Sequence, residues 1–256
     1  EMAIPTARAT AIEGGYATQE PAFGLQALWL PSDRVDVART SGYTVVDSLN
    51  VLGTHFTELV KRYAWEIFSR QDAKSFCDRV AAEHPKAVED LTPKLLSMAG
   101  IQRVLQHLLR EGVSIRDGLT IVEALGEASA TTKNPVLLTE FVRQALRRSL
   151  LKPLLSPSGE LRAWFLDATL EHAIESTVQH GELNSIAAVS PQIAHDLLAK
   201  LQASIDRTDS SAVLIAGAGI RFFVRQMIEH SMPNLHVISH NEIPNGVRVQ
   251  SLGLIR

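Results

Sequence analysis

Between Ile101 and Leu109 the apolar residues fall at Ile101, Val104, Leu105, Leu108 and Leu109. That is the i, i+3, i+4, i+7, i+8 spacing of a helix with one buried stripe. Such a stripe must be covered by another element, so the centre of the chain has to build a helical core. Gly112 stands just past the stripe as a C-cap. A second stripe, Leu138, Phe141, Val142, Ala145 and Leu146, follows Asn134-Pro135, a pair that caps and opens a helix. Val51–Phe68 and Gln71–Glu83 read as two further helices, the second stopped by Pro85. Short connections predict antiparallel packing in a helical subdomain over residues 70–153.

The flanks have other periods. Leu25–Leu30 and Tyr43–Val46 are short apolar runs that read as strands, which assigns residues 1–69 to a partial α/β unit. Past Ser156-Pro157-Ser158-Gly159, Leu161–Leu166 reads as a strand and Asp167 as the cap of a helix running to His180. Ser190-Pro191 opens a helix carrying Ile193, Leu197, Leu201 and Ile205 on one side. Val213–Ala216, Ile220–His230 and His236–Ser239 then read as strand, helix and strand. Residues 154–256 are therefore expected to form an α/β subdomain with parallel pairing. The fold class expected is mixed α+β, helix-rich, in several small subdomains.

Composition removes whole classes. A chain of 256 residues that is 45% hydrophobic can bury a full core and is not disordered. Cys77 is the only cysteine, which rules out a disulfide scaffold. A net charge of -3 argues against a dedicated nucleic-acid binder. Uncharged runs such as Pro21–Ser32 fall short of the roughly 18 residues a membrane span needs. The start, Glu-Met-Ala-Ile-Pro-Thr-Ala-Arg, lacks the basic and apolar pattern of a signal peptide. The expectation is a soluble fragment working in a reducing cytosol.

Ala216-Gly217-Ala218-Gly219 follows a strand and opens a helix, but Phe222 occupies the place of the third glycine of a dinucleotide loop. It reads better as a tight turn. The nine histidines show no metal-ligand spacing, and Cys77 beside Phe76 reads as a small buried apolar residue. Glu89-Asp90 point apart on a helix. Arg143, Arg147, Arg148 and Lys152 gather at a helix end, where cations complement the dipole, or an acidic partner meets them. No enzyme, metal or cofactor emerges from these residues. Phe23, Leu28, Trp29 and Leu30 lie before a polar run, and Thr54-His55 reads as a helix start after the second apolar run. Apolar groups beside small polar ones suit a partner groove, and core packing accounts for them as well.

Several segments carry a resemblance. They are Glu20-Pro21-Ala22-Phe23-Gly24-Leu25, Gly42–Asp47, Val51-Leu52-Gly53-Thr54-His55, Arg70-Gln71-Asp72, Val104–Asp117 and Ser239-His240-Asn241-Glu242-Ile243-Pro244. In these the chain resembles the FlhA family of flagellar type III export gate proteins, in its C-terminal cytoplasmic region, and more distantly the virulence-secretion counterparts. The resemblance implies a non-enzymatic cytosolic part of a bacterial inner-membrane protein, with no cofactor. It implies a ring of subunits, usually nine, that receives export chaperones carrying late substrates: hook-filament junction, cap and filament proteins. It also implies contact with the export ATPase complex, and no nucleic acid. The docking site it implies is built from Glu20, Phe23, Val46, Val51 and Thr54. In such a site the Thr54 hydroxyl is expected to cap its helix, and Glu20 to act mainly at low salt if its charge sits at an exposed rim. Glu20 stands where Asp is common in the family and Gly53 where Ala is usual. The competing readings are an export gate of a virulence system and a nucleotide-binding enzyme built on the Gly217–Gly219 turn.

Overall fold

In the computed structural model, which describes residues 1–205 and 212–256, the chain divides into two units, Glu1–Ile67 and Phe68–Arg256. The first unit is a sheet of β1 (Met2–Pro5), β2 (Tyr16–Gln19), β3 (Gln26–Trp29) and β4 (Tyr43–Val46) in the order β2-β3-β1-β4. All its neighbours are antiparallel. The period-2 rule sends alternate residues to opposite faces. Met2 and Ala27 pack on one face with Val51, Ile4, Trp29 and Val46. Ala3, Leu30, Leu28, Tyr43 and Val45 pack with Ala38 of α1 (Val35–Thr40) in a separate cluster.

After β4 comes α2 (Ser48–Ile67), longer at its start than the sequence predicts. Asp47 Oδ1 accepts the Asn50 N–H at 2.9 Å, so the helix is capped at Asp47 and starts at Ser48, three residues ahead of the expected Val51 start. Val51 is the buried residue of this helix. Leu49, Leu52, Phe56, Val60, Tyr63 and Ile67 are exposed and share one helical stripe.

The second unit opens with α3 (Arg70–Glu83), α4 (Pro85–Leu91), α5 (Met98–Arg110), α6 (Gly118–Ala128), α7 (Pro135–Ala145) and α8 (Arg147–Leu151). Ser69 and Asp72 form a reciprocal capping box at α3. Pro85 both ends α3 and opens α4, since a missing N–H costs nothing in a first turn. Ile101, Val104, Leu105 and Leu108 are fully buried against Phe76, Val80, Ile121, Leu125, Leu138 and Val142. Gly112, at φ +70°, closes α5 in the left-handed region that only glycine enters cheaply.

The α/β part follows as β5 (Glu160–Leu166), α9 (Ala168–Glu175), β6 (Val178–His180), β7 (Ser185–Ala187), α10 (Pro191–Ser204), β8 (Val213–Ala216), α11 (Arg221–Ile228), β9 (His236–Ser239) and β10 (Arg248–Ile255). Its sheet runs β10-β5-β8-β9, all parallel. Both faces of β8 are covered, which explains its unbroken apolar run. The helix begun at Asp167 ends at Glu175 rather than His180, because Val178–His180 turns back to pair with β7 as a hairpin.

A buried ionic seam joins the helical and α/β parts of this unit. Arg143, expected to complement a helix end in solvent, is 3% exposed. It donates to Glu242 at 2.8 Å and to Glu111 at 3.0 Å, while Arg147, Arg148 and Lys152 stay exposed. Arg221, fully buried, donates to Glu111 and Glu140. Both guanidiniums also reach the Val237 carbonyl at 3.4 Å. His236 N–H donates to the Ala212 carbonyl on the β8 side, so the next residue, Val237, turns its backbone away from β8, and the two arginines satisfy an outward carbonyl on the sheet edge.

Candidate functional site

The candidate site begins with a turn between β2 and β3. Glu20 N–H donates to the Leu25 carbonyl at 2.7 Å, and Gly24 N–H to the Glu20 carbonyl at 2.8 Å. The Glu20 carboxylate then accepts from inside the turn, from Ala22 N–H at 2.9 Å and Phe23 N–H at 2.7 Å. Gly24 sits at φ +70°, a conformation that a side chain would strain. The result is a closed loop whose apolar residue points out. Phe23 is 64% exposed and Leu25 is 49% exposed.

Two expectations change here. Glu20 is not at an exposed rim: it is 4% exposed and spends both oxygens on backbone donors. Phe23 is not core, whereas Leu30, the residue just past β3, is buried.

Val46 and Val51 come together in the small cluster under β1 and β3 with Met2, Ala27, Ile4 and Trp29. Thr54 lies one turn further along α2, in the helix interior, and is exposed. Its hydroxyl therefore does not cap the helix; Asp47 does. The structure thus joins Glu20 to Phe23 and Val46 to Val51, and Thr54 belongs to neither cluster. Sequence reasoning missed Leu25 as an exposed partner of Phe23, and missed the exposed stripe on α2. The place of Leu25 directly after Gly24, at the end of a tight turn, was the signal for the first. The second had none, since an apolar helix face reads the same whether covered or bare.

The glycine turn has a different occupant from a phosphate. Gly217 N–H donates to Glu171 Oε1 at 2.7 Å, so a carboxylate already takes the donor that a dinucleotide loop would offer. Among the described residues no group of three or more His, Cys, Asp or Glu could hold a metal ion. Cys77 is buried in the helical core, and burial pushes its thiol up, away from nucleophilic use.

The seam carries the strongest electrostatics. Burial pushes the Glu111 carboxyl up, but Arg221 and Arg143 more than offset it and hold it down at about 2. Glu140 shares Arg221 and yet is raised, because burial dominates. Burial lowers His107, whose Nδ1 lies 3.2 Å from the Thr139 hydroxyl and whose ring meets Phe222. Arg110, Arg143 and Arg221 each pair with a carboxylate on the other side of the seam, so the arrangement holds the helical and α/β parts together.

The family and the fold are shared with known proteins. Over residues 1–248 the chain matches the FHIPEP family. It is 36% identical over 254 residues to the flagellar biosynthesis protein FlhA of Bacillus subtilis, covering 98% of this chain and 37% of that protein. The chain thus spans little more than a third of that relative. The CdsV protein of Chlamydia pneumoniae has the same fold, with a TM-score of 0.88 at 25% identity over 100% of this chain and 74% of that one. CdsV in its complex with CdsO matches at a TM-score of 0.81 and 26% identity, over 90% and 68% of the two chains. The nonameric SctV-C of EPEC matches at a TM-score of 0.79 and 25% identity, over 99% and 77%. None of these names denotes an enzyme, and among the described residues no helix is long and apolar enough to cross a membrane. The chain, mixed α+β throughout, belongs to the FHIPEP family.

Proposed function

We propose that this chain is a docking platform on the cytosolic side of a flagellar type III export gate. It binds export chaperones loaded with late substrates (hook-filament junction, cap and filament proteins) and passes them toward the channel. The observation that carries the reading is the closed Glu20–Leu25 turn, which holds Phe23 64% exposed in a chain of this family. A large ring held out on a rigid turn is the kind of anchor on which binding energy concentrates. Glu20, Phe23, Val46, Val51 and Thr54 are the residues assigned to the site, the valines as its support.

The whole protein, in this reading, assembles as a ring and works with the export ATPase complex. The nonameric SctV-C and the CdsV–CdsO complex supply precedent in relatives. The flagellar branch is preferred over a virulence system because identity to the Bacillus subtilis flagellar protein is 36%, against 25% to CdsV. Calorimetric titration with chaperone–substrate pairs of the same organism tests the reading. Saturable binding by the parent chain that weakens about thirtyfold in Phe23→Ala is expected; equal binding by the two refutes the assigned site.

A further inference from the structure

We infer that Glu20 is a positioning residue: its carboxylate holds the turn that presents Phe23 and does not itself meet the partner. The inference rests on the docking reading of Phe23 and goes beyond it by separating the group that binds from the group that orders it.

The geometry leaves Glu20 little to offer outward. At 4% exposure, its two oxygens face Ala22 N–H and Phe23 N–H at 2.9 and 2.7 Å. Carboxylate-to-amide bonds of this length are charge-assisted and stronger than neutral ones. One of the amides held is that of Phe23 itself, so the bond fixes the backbone from which the exposed ring projects. The main-chain bonds from Glu20 N–H to Leu25 and from Gly24 N–H to Glu20 close the same loop from the other side. A loop ordered before encounter loses less conformational entropy when its apolar residue is captured. An acidic side chain at a binding surface usually acts by attracting a cation, and that attraction fades with salt. An acidic side chain turned inward acts equally at all salt concentrations. The two roles are therefore separable by measurement.

The experiment uses the chain as it stands, a chaperone–substrate pair of the same organism, and the variants Phe23→Ala, Glu20→Ala and Glu20→Asp. Affinity is read at about 50 and about 300 mM salt, either side of the physiological screening length. Amide hydrogen exchange is read at Ala22 and Phe23. Glu20→Ala is expected to weaken binding about tenfold at both salts and to speed exchange at both amides. Glu20→Asp, which keeps two acceptor oxygens on a shorter arm, is expected to restore most of both. A loss in Glu20→Ala that shrinks severalfold at the higher salt, or unchanged exchange at Ala22 and Phe23, overturns the inference. If Phe23→Ala binds like the parent, the docking reading falls instead, and the exchange data still decide whether Glu20 orders the turn.

Discussion

Nη1 of Arg221 lies 2.5 Å from Oε2 of Glu111, and neither side chain is more than 7% exposed. The two residues come from opposite sides of the seam, one at the start of α11 and one at the end of α5. Arg221 also donates to Glu140, so its removal leaves two buried carboxylates with reduced compensation. Breaking one side of a buried pair costs about 3–5 kcal/mol, mostly from the stranded charge. Arg221→Met is accordingly expected to lower the urea-unfolding free energy of residues 68–256 by about that amount. Adding Glu111→Gln and Glu140→Gln to it should return a good part, since the charges that were stranded are gone. A single variant as stable as the parent would show that the seam contributes nothing.

The pH dependence of stability follows from the same cluster. Glu140 is raised, so the folded chain holds its proton more tightly than the unfolded chain does, and stability from this group rises on acidification through that raised range. His107 is lowered, so the unfolded chain binds the proton first, and stability falls as pH drops below about 6.5. The two oppose each other, so in the mildly acid range the parent is expected to change less with pH than a variant that keeps only one of them. Glu140→Gln should expose the His107 fall, and His107→Asn the Glu140 rise. Below the ordinary glutamate range Glu111, held at about 2, loses its contribution progressively, and both variants should then fall together. Unfolding curves at each pH, for parent and both variants, check this.

Asn134 has two tasks that one substitution can separate. Its Oδ1 accepts Val136 N–H at 3.0 Å and caps α7, while its Nδ2 donates to the Gly181 carbonyl at 2.8 Å and the Ser185 hydroxyl at 2.9 Å on the β6–β7 hairpin. Asn134→Ala removes both and is expected to cost about 2 kcal/mol, the upper end for a lost cap. Asn134→Asp keeps the cap but replaces a donor with an acceptor facing two oxygens. Its expected signature is faster amide exchange confined to 178–187 with α7 still protected. Equal exchange in the hairpin for the parent and Asn134→Asp would show that the bridge does not hold it.

What could be read from sequence depended on whether the interaction was local. The stripe from Ile101 to Leu108 and the caps at Asn134, Asp167 and Ser190 are short-range patterns, and each stands where the spacing puts it. The strands β1, β2, β6 and β7 are three or four residues long, too short to show a period. β10 is a largely exposed edge strand of eight residues, broken by an irregularity between Ser251 and Gly253, so it lacks the apolar run of β8. The buried arginines were illegible for another reason. Arg143 meets Glu242 across 99 positions and Arg221 meets Glu111 across 110, and a charge in a sequence does not announce a distant partner. At the candidate site the resemblance supplied Glu20 and Phe23, but only the hydrogen bonds from Ala22 and Phe23 tell which faces outward.

Phe23 offers the sharpest test, because its exposure separates binding from folding. A buried phenylalanine cut to alanine would cost about 3–5 kcal/mol of stability, and any loss of binding would then be ambiguous. Phe23 is 64% exposed and belongs to neither cluster of the first unit, so Phe23→Ala is expected to change unfolding by less than about 0.5 kcal/mol. Binding of a chaperone–substrate pair should nonetheless weaken by about 2 kcal/mol, some thirtyfold. Val51→Ala is the counterpart: it is 6% exposed under the sheet, and its truncation should lower stability, with affinity per folded molecule nearly unchanged. Thr54→Met, on the exposed surface of α2, should leave stability alone and weaken binding by placing a bulkier side chain at the docking surface. Urea unfolding and calorimetric titration on the same preparations read both quantities. Phe23→Ala that binds as the parent does, or that unfolds as easily as Val51→Ala, would remove the turn from the docking surface.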